Sequence, residues 1–167
     1  MNRGLQCNPF VVLCICKLMR EKIMNFVLVT GSTKKNRKLV EGITNWCIKE
    51  LMPRMRTLDI EIELRETLRS EGVYGWCESA DSRNFRIDLH KKFDEYENLE
   101  DVIKTVMHEM VHVWQWATGL CKDYADGRRM WKGKDYTDTP YSKQPWERQA
   151  YRMQETLYKK WLTEVTE

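Results

Sequence analysis

The most restrictive feature of this sequence is a five-residue string in which His108 and His112 stand four positions apart and Glu109 directly follows the first histidine. Residues four apart on an α-helix lie one above the other, so the two imidazole rings can bind one metal ion. Zinc favours nitrogen ligands in a tetrahedral arrangement, and a catalytic zinc site has three protein ligands and an open position for water. The string therefore predicts two of the three protein ligands.

Glu109 lies roughly 60° to 100° around the helix from the histidine pair. This offset places its carboxylate beside the metal, where it can take a proton from a bound water and deliver it to a leaving nitrogen. Glu109 is therefore the candidate catalytic base and acid. The alternative interpretation is an amphipathic helix whose two histidines only face solvent, because its other half carries Val102, Ile103, Val106, Met107, Met110, Val111, Val113, Trp114 and Ala117.

The third ligand is less constrained, and Glu147 is the favoured candidate. It stands in the first turn of a predicted last helix that follows Pro145, although the helix dipole also favours an acidic residue there. Ala150, one turn later, is small enough to let this helix approach the metal helix closely. Glu155 is the reserve candidate, and the other residues able to bind a metal are His90, Asp123, Asp126, Asp135 and Asp138.

Hydrophobic periodicity predicts an α+β fold: a small antiparallel sheet packed with an N-terminal helix, the metal-binding helix and a C-terminal helix. Strict alternation of apolar and polar residues indicates a strand with one buried face, whereas a helix repeats its apolar positions every three or four residues. The predicted strands, arranged as a three-stranded antiparallel meander, cover residues 58–64, 73–78 and 85–89. The predicted helices cover residues 34–51, 99–118 and 146–162.

Capping and turn residues define the limits of these elements. Pro53 ends the first helix, Asn98 caps the second, and Gly119 marks the end of the second. Residues 120–145 are rich in Gly, Asp, Tyr and Lys and are predicted to be a long irregular connection.

Length and composition favour one domain that is not associated with a membrane. The 167 residues are enough for one core, the hydrophobic content of 42% and charged content of 32% are ordinary, and no stretch approaches the about 18 apolar residues that span a bilayer. We expect a leader at residues 1–23, a single domain at residues 24–167 and a monomer. Met24 is an alternative translation start.

The cysteines indicate the cellular compartment, and the charge indicates whether nucleic acid is a partner. The six cysteines form no CxxC pair, which favours neither a zinc ribbon nor a disulfide framework and fits a reducing, cytoplasmic setting. The formal net charge of +3 does not by itself indicate nucleic-acid binding. One local basic cluster around Trp131 predicts at most a weak nucleic-acid contact, and it consists of Arg128, Arg129, Lys132 and Lys134.

Taken together, these residues resemble a zincin metallopeptidase. The pattern from Glu147 to Ala150 is similar to the ExxA of glutamate zincins, in which that glutamate is the third zinc ligand. The string from His108 to His112 after a short sheet also resembles SprT-like peptidases and their phage-encoded relatives. The resemblance covers residues 58–162, but the downstream histidine ligand and the cysteine zinc ribbon of the SprT pattern are absent from this sequence.

The resemblance implies a zinc-dependent peptidase that cleaves a polypeptide by metal-activated water, with Zn²⁺ on His108, His112 and Glu147. It also implies that a sheet edge near residues 85–89 pairs with the extended substrate. Tyr136 or Tyr141 would donate a hydrogen bond to the oxyanion. Two alternatives remain open at this point: a nucleic-acid-associated module with a structural zinc and no hydrolytic activity, and a zinc-free structural protein.

Overall fold

The computed structural model of this chain describes residues 24–68, 74–91 and 99–166. The predicted leader, the predicted cap Asn98 and Val73 lie outside the described residues. The helices are α1 (Lys34–Leu51), α2 (Leu99–Ala117) and α3 (Pro145–Thr166). The strands are β1 (Phe26–Gly31), β2 (Asp59–Arg65), β3 (Gly75–Ser79), β4 (Asn84–His90), β5 (Cys121–Asp123), β6 (Arg129–Trp131) and β7 (Lys134–Asp135). The α+β class is thus confirmed.

Helix α1 has the limits that its sequence predicts. The Thr33 side chain accepts a hydrogen bond from the backbone N–H of Asn36 at 3.2 Å, which satisfies one of the free donors of the first turn. Val40, Ile43 and Cys47 recur at helical spacing and are all buried. The chain leaves the helix at Met52, directly before Pro53.

The main sheet has the strand order β1-β2-β4-β3 and mixed directions. Strand β2 is parallel to both β1 and β4, with Ile62 opposite Val29 and Ile87, and only β3 and β4 are antiparallel. The predicted antiparallel meander is therefore wrong, although its hairpin between β3 and β4 is confirmed. Alternation of apolar residues fixes which face of a strand is buried, but it specifies neither the partner nor the direction of pairing.

Strand β1 was not predicted, and it adds one edge to the sheet. Its sequence begins with four apolar residues in a row, so it lacks the alternation of apolar and polar residues by which a half-buried strand is predicted. Its pairing with β2 makes β1 and β3 the two edge strands, while β4 is central. The predicted substrate-binding edge at residues 85–89 is consequently also wrong, because β4 has neighbours on both sides.

The core lies between the helices and one face of the main sheet. Apolar side chains of β2 and β4 point to this face, and α1 and α2 cover it. The opposite face is polar, with Arg86 bonded to Glu63 at 2.8 Å and Arg65 close to Asp88 at 3.3 Å. Among the described residues, no helix combines the length and apolar character needed to cross a membrane.

Residues 120–145 form an ordered substructure and not the predicted irregular connection. Strands β5, β6 and β7 make a second antiparallel sheet, and a short 3-10 helix follows at Tyr141–Lys143. Cys121, Trp131 and Trp146 are buried together and give this sheet its own small core. Strands of two or three residues are too short to show the periodicity by which a strand is predicted.

Candidate metal centre

Helix α2 carries the two histidines and is held in place by its apolar face. Val106, Met107 and Met110 are buried in the main core. The acidic residues Glu100 and Asp101 occupy the first turn, where the helix dipole favours negative charge. The chain turns out of the helix at Gly119, whose φ of +74° is a left-handed conformation that suits glycine. This confirms the predicted end of the helix.

Helix α3 packs along α2 and covers the face that carries the histidines. Ala150 is completely buried in this contact, which confirms the close approach that its small size predicts. Lys104 of α2 binds Glu155 of α3 at 2.7 Å and adds an ion pair between the helices. As a result, His108 and His112 are only 8% and 6% exposed. The alternative of two histidines on a solvent-facing helix side is therefore contradicted.

His108, His112 and Glu147 converge on one point, and each offers a ligand atom to it. The two Nε2 atoms are 3.2 Å apart, and the Glu147 carboxylate oxygens lie 3.3 Å from the Nε2 of His108 and of His112. An ion bound tetrahedrally at about 2.0–2.1 Å has ligand atoms about 3.3 Å from one another. The donor set thus fits a zinc ion in both its chemistry and its spacing.

Two glutamines orient the imidazole rings. The Nδ1 of His108 lies 2.8 Å from the Oε1 of Gln154, and the Nδ1 of His112 lies 2.9 Å from the Oε1 of Gln115. An amide oxygen only accepts, so each Nδ1 donates to its glutamine and each Nε2 faces the point of convergence. A cation at this point would be held by both Nε2 atoms and the carboxylate, and the glutamines would fix the rings through their Nδ1 atoms.

Gln115 is held by both of the elements that form the site. It is buried on α2, and its Nε2 donates to the carbonyl oxygen of Trp146 at 3.0 Å and to the Oε1 of Gln149 at 3.1 Å. These bonds fix the amide so that its oxygen faces His112. Sequence reasoning missed these glutamines. The only sequence signal was that Gln115 lies three residues after His112, within reach on one helix face.

Glu147 is an ionised carboxylate in a largely buried position. Burial opposes its ionisation, but hydrogen bonds with His108, His112 and Tyr141 outweigh burial and hold the pKa of the carboxyl well below its usual value. The Tyr141 hydroxyl donates to Oε2 at 2.8 Å. Burial and this neighbouring carboxylate raise the pKa of Tyr141, so its hydroxyl keeps its proton.

Glu109 lies beside the three converging residues and is not one of them. It is 5% exposed, and its carboxylate lies against the backbone of Gly75 in β3. Burial raises the pKa of Glu109 to about 7, with His108 opposing the shift and Glu147 adding to it. A carboxyl group with a pKa near neutrality suits proton transfer in both directions.

A groove lies along β3 and is bounded also by the first residues of β2 and β4 and by the second sheet. It has a volume of about 580 Å³, and its walls include Trp76, Cys77 and Trp116. Trp116 is the link between the groove and the site, because its ring lies 5.9 Å from the ring of His112, while His108, Glu109, His112 and Glu147 do not themselves line the groove. The edge strand beside the site is therefore β3, and not the predicted strand at residues 85–89.

The other predicted metal ligands have different partners. His90 lies at the end of β4, where its ring contacts Tyr74, and Glu155 binds Lys104. Asp123 and Asp126 form ion pairs with Arg129 and Arg128, at 2.6 and 2.8 Å. Asp135 accepts hydrogen bonds from Thr137, and Asp138 is outside the one group of potential ligands found among the described residues.

Of the two predicted oxyanion donors, the structure places only Tyr141 at the ligands. Its hydroxyl contacts Glu147, whereas Tyr136 packs edge-on against Trp146 with ring centres 6.3 Å apart. Tyr151 of α3 also lies at the site, with its ring centre 4.6 Å from that of His108. Tyr151 was not among the predicted site residues.

The basic cluster of the second sheet is partly neutralised. Arg128 and Arg129 each bind an aspartate, and Lys132 lies over the ring of Trp131 at 5.4 Å. Trp131 itself is buried, so its ring is covered by protein. A nucleic-acid contact through this cluster stays a prediction that these contacts do not favour.

No family model, curated protein or solved structure matches this chain. The functional argument therefore rests on the geometry and chemistry of the site. Membership of the zincins stays an expectation drawn from the sequence pattern.

Proposed function

We propose that this protein is a zinc-dependent metallopeptidase in which His108, His112 and Glu147 bind the metal and Glu109 transfers the proton. The observation that carries this proposal is the burial of two imidazole nitrogens and one carboxylate at mutual distances of 3.2 to 3.3 Å. Three protein ligands leave the fourth tetrahedral position to solvent, which is the composition of a catalytic zinc site.

When bound, zinc would supply Lewis acidity toward a carbonyl oxygen and would lower the pKa of a water molecule. Glu109 would accept the proton of the attacking water on its carboxylate and pass it to the nitrogen of the departing amine. The Tyr141 hydroxyl has one hydrogen, which it gives to Glu147 in this structure, so it would turn from that carboxylate to donate a hydrogen bond to the developing oxyanion.

The groove along β3 supports an extended polypeptide as the substrate. An edge strand presents backbone N–H and C=O groups that can pair with another chain, and side-chain pockets beside it add selectivity. Trp76 and Trp116 provide apolar surface in this groove. We place the reaction in a reducing, cytoplasmic compartment, because Cys47, Cys77 and Cys121 are free and buried.

The test is the substitution Glu109→Gln, which removes the proton acceptor and leaves the three ligands in place. We expect purified Glu109→Gln protein to retain one zinc per chain by elemental analysis and to lose at least 100-fold of the parent's rate of casein hydrolysis. The matched control is Glu155→Gln, which makes the same change at a residue of α3 that pairs with Lys104, and it is expected to retain the rate. Equal rates for Glu109→Gln and the parent would contradict the mechanism.

The main rival is a nucleic-acid-associated module in which zinc only stabilises the fold. It predicts one zinc per chain, no hydrolysis by the parent, and DNA affinity that falls steeply with salt. The ion pairs of Arg128 and Arg129 argue against it, since they leave fewer free charges for phosphate groups. The metal content of protein purified without a metal-affinity tag distinguishes the peptidase and the nucleic-acid module, which both contain zinc, from a zinc-free structural protein.

A further inference from the structure

We propose that Gly75 is a positioning residue: the side chain that it lacks leaves the space in which the Glu109 carboxylate is held. This inference rests on the proposed function, because it concerns the group that transfers the proton. Gly75 is the first residue of β3, and its backbone pairs with Leu89 of the central strand β4. The position of the carboxylate is thereby linked to the main sheet as well as to α2.

The contact is too short for any residue other than glycine. A Cβ atom at Gly75 would lie 2.4 Å from the Oε1 of Glu109 and 3.0 Å from its Cδ and Cγ atoms. Carbon and oxygen atoms that are not bonded do not approach to 2.4 Å, so the carboxylate would have to move. All three of these close atoms belong to Glu109, and a flexible side chain can move without disrupting the fold.

The backbone of Gly75 gives no other reason for a glycine. The glycines with positive φ among the described residues are Gly31, Gly119, Gly127 and Gly133, so Gly75 does not require a left-handed conformation. Glycine weakens a strand interior and commonly marks a close approach of another group. Here the approaching group is the Glu109 side chain.

The neighbouring residues of β3 confine the carboxylate further. Side chains alternate along a strand, so Cys77 points to the same side as Gly75 and Trp76 points to the other. Cys77 is buried, and Trp76 is exposed and lines the groove. Glu109 is therefore enclosed between α2 and the inner side of the strand whose free edge we assign to the substrate.

The experiment is Gly75→Ala in the full chain, with Gly42→Ala as the matched control. Nothing lies within 4 Å of a Cβ atom at Gly42, so the control adds the same methyl group without a contact. Displacement of a catalytic group by about 1 Å costs on the order of 100-fold in rate. We expect kcat for casein hydrolysis to fall by that factor in Gly75→Ala, with KM and zinc content unchanged, and to stay at the parent value in Gly42→Ala.

A double-mutant cycle with Glu109→Asp separates positioning from a general effect on the strand. Aspartate is one methylene shorter and withdraws from the added methyl group. We therefore expect Gly75→Ala to have almost no effect on kcat in the Glu109→Asp background. An equal loss in both backgrounds, or a kcat within threefold of the parent for Gly75→Ala alone, would overturn the proposal.

A crystal structure of Gly75→Ala gives a readout that does not depend on activity. The expected result is a displaced Glu109 carboxylate with His108 and His112 in their parent positions. An unmoved carboxylate overturns the assignment of Gly75. If the parent hydrolyses nothing while the carboxylate moves as expected, the proposed peptidase function fails and the positioning role of Gly75 stands.

Discussion

The Glu109 carboxyl group occupies a position that disfavours its ionised form. Burial raises its pKa to about 7 from an ordinary value of 4.5. In metal-free protein below pH 4.5, Glu109 is protonated in both the folded and the unfolded state. As the pH rises toward 7, the unfolded state releases this proton and the folded state retains it, so the free energy of unfolding falls. The total loss is roughly 3 kcal/mol, since one pKa unit corresponds to about 1.4 kcal/mol.

Glu109→Gln removes this titration, and we expect it to stabilise the metal-free protein mainly at high pH. Relative to the parent, the gain in unfolding free energy should be about 3 kcal/mol larger at pH 8 than at pH 4.5. The measurement is urea unfolding in the presence of a chelator at both pH values, with Glu155→Gln as the control. A gain that is the same at both pH values would show that ionisation of Glu109 is not its cause.

At the residue scale, the sequence predicts those site residues whose positions are set within a single helix. The spacing of His108 and His112 is a property of one helix, and the position of Glu147 follows from the start of another. Gln154 and Gly75 were not predicted, because their relation to the site depends on how separate elements pack. Nothing near Gly75 in the sequence indicates that a side chain of α2 occupies the space beside it.

At the element scale, the helices were predicted more accurately than the sheet. The limits of α1 follow from Thr33 and from the chain leaving the helix before Pro53, both of which are local signals. The buried faces of β2 and β4 were also predicted, because Ile62 and Ile87 belong to clear alternations. Their parallel pairing was not, because the alternation does not indicate that β3 lies at the outer edge and leaves β4 beside β2.

The contact between α2 and α3 brings Glu147, the proposed third ligand, to the histidines, and the small Ala150 lies buried between the main core and this helix. We expect Ala150→Leu to force the helices apart, because the position is completely buried. Overpacking of this kind costs about 1–3 kcal/mol, and moving Glu147 away should lower the zinc affinity at least tenfold. Thermal unfolding and competition with a chromophoric chelator measure the two effects.

The control for this prediction is Thr156→Leu, which adds a leucine at an exposed position of the same helix. It is expected to retain the zinc affinity and to change the stability by less than about 0.5 kcal/mol. Unchanged zinc affinity in Ala150→Leu would mean that the helix contact does not determine the position of Glu147.

At the scale of the whole molecule, the three proposed ligands lie where the main core meets the small core of the second sheet. His108 and His112 belong to the helix that packs on the main sheet, and Glu147 follows directly after the small core of the second sheet around Trp146. Since α3 already contributes Ala150 and Leu157 to the main core, a zinc ion bound by all three would strengthen the link between that core and the second sheet. A ligand that binds only the folded state stabilises it by mass action.

We expect the melting temperature of the parent to rise with free zinc and to fall when a chelator removes it. At a free zinc concentration 1,000-fold above Kd, the stabilisation is about 4 kcal/mol, which corresponds to about 8 to 16 °C for a chain of this size. Glu147→Ala removes one ligand and should abolish most of this dependence, whereas Glu155→Ala should retain it. Scanning calorimetry with zinc and with chelator makes the comparison. If Glu147→Ala responds to zinc as strongly as the parent, the metal is bound without Glu147 and does not join the two parts of the molecule through α3.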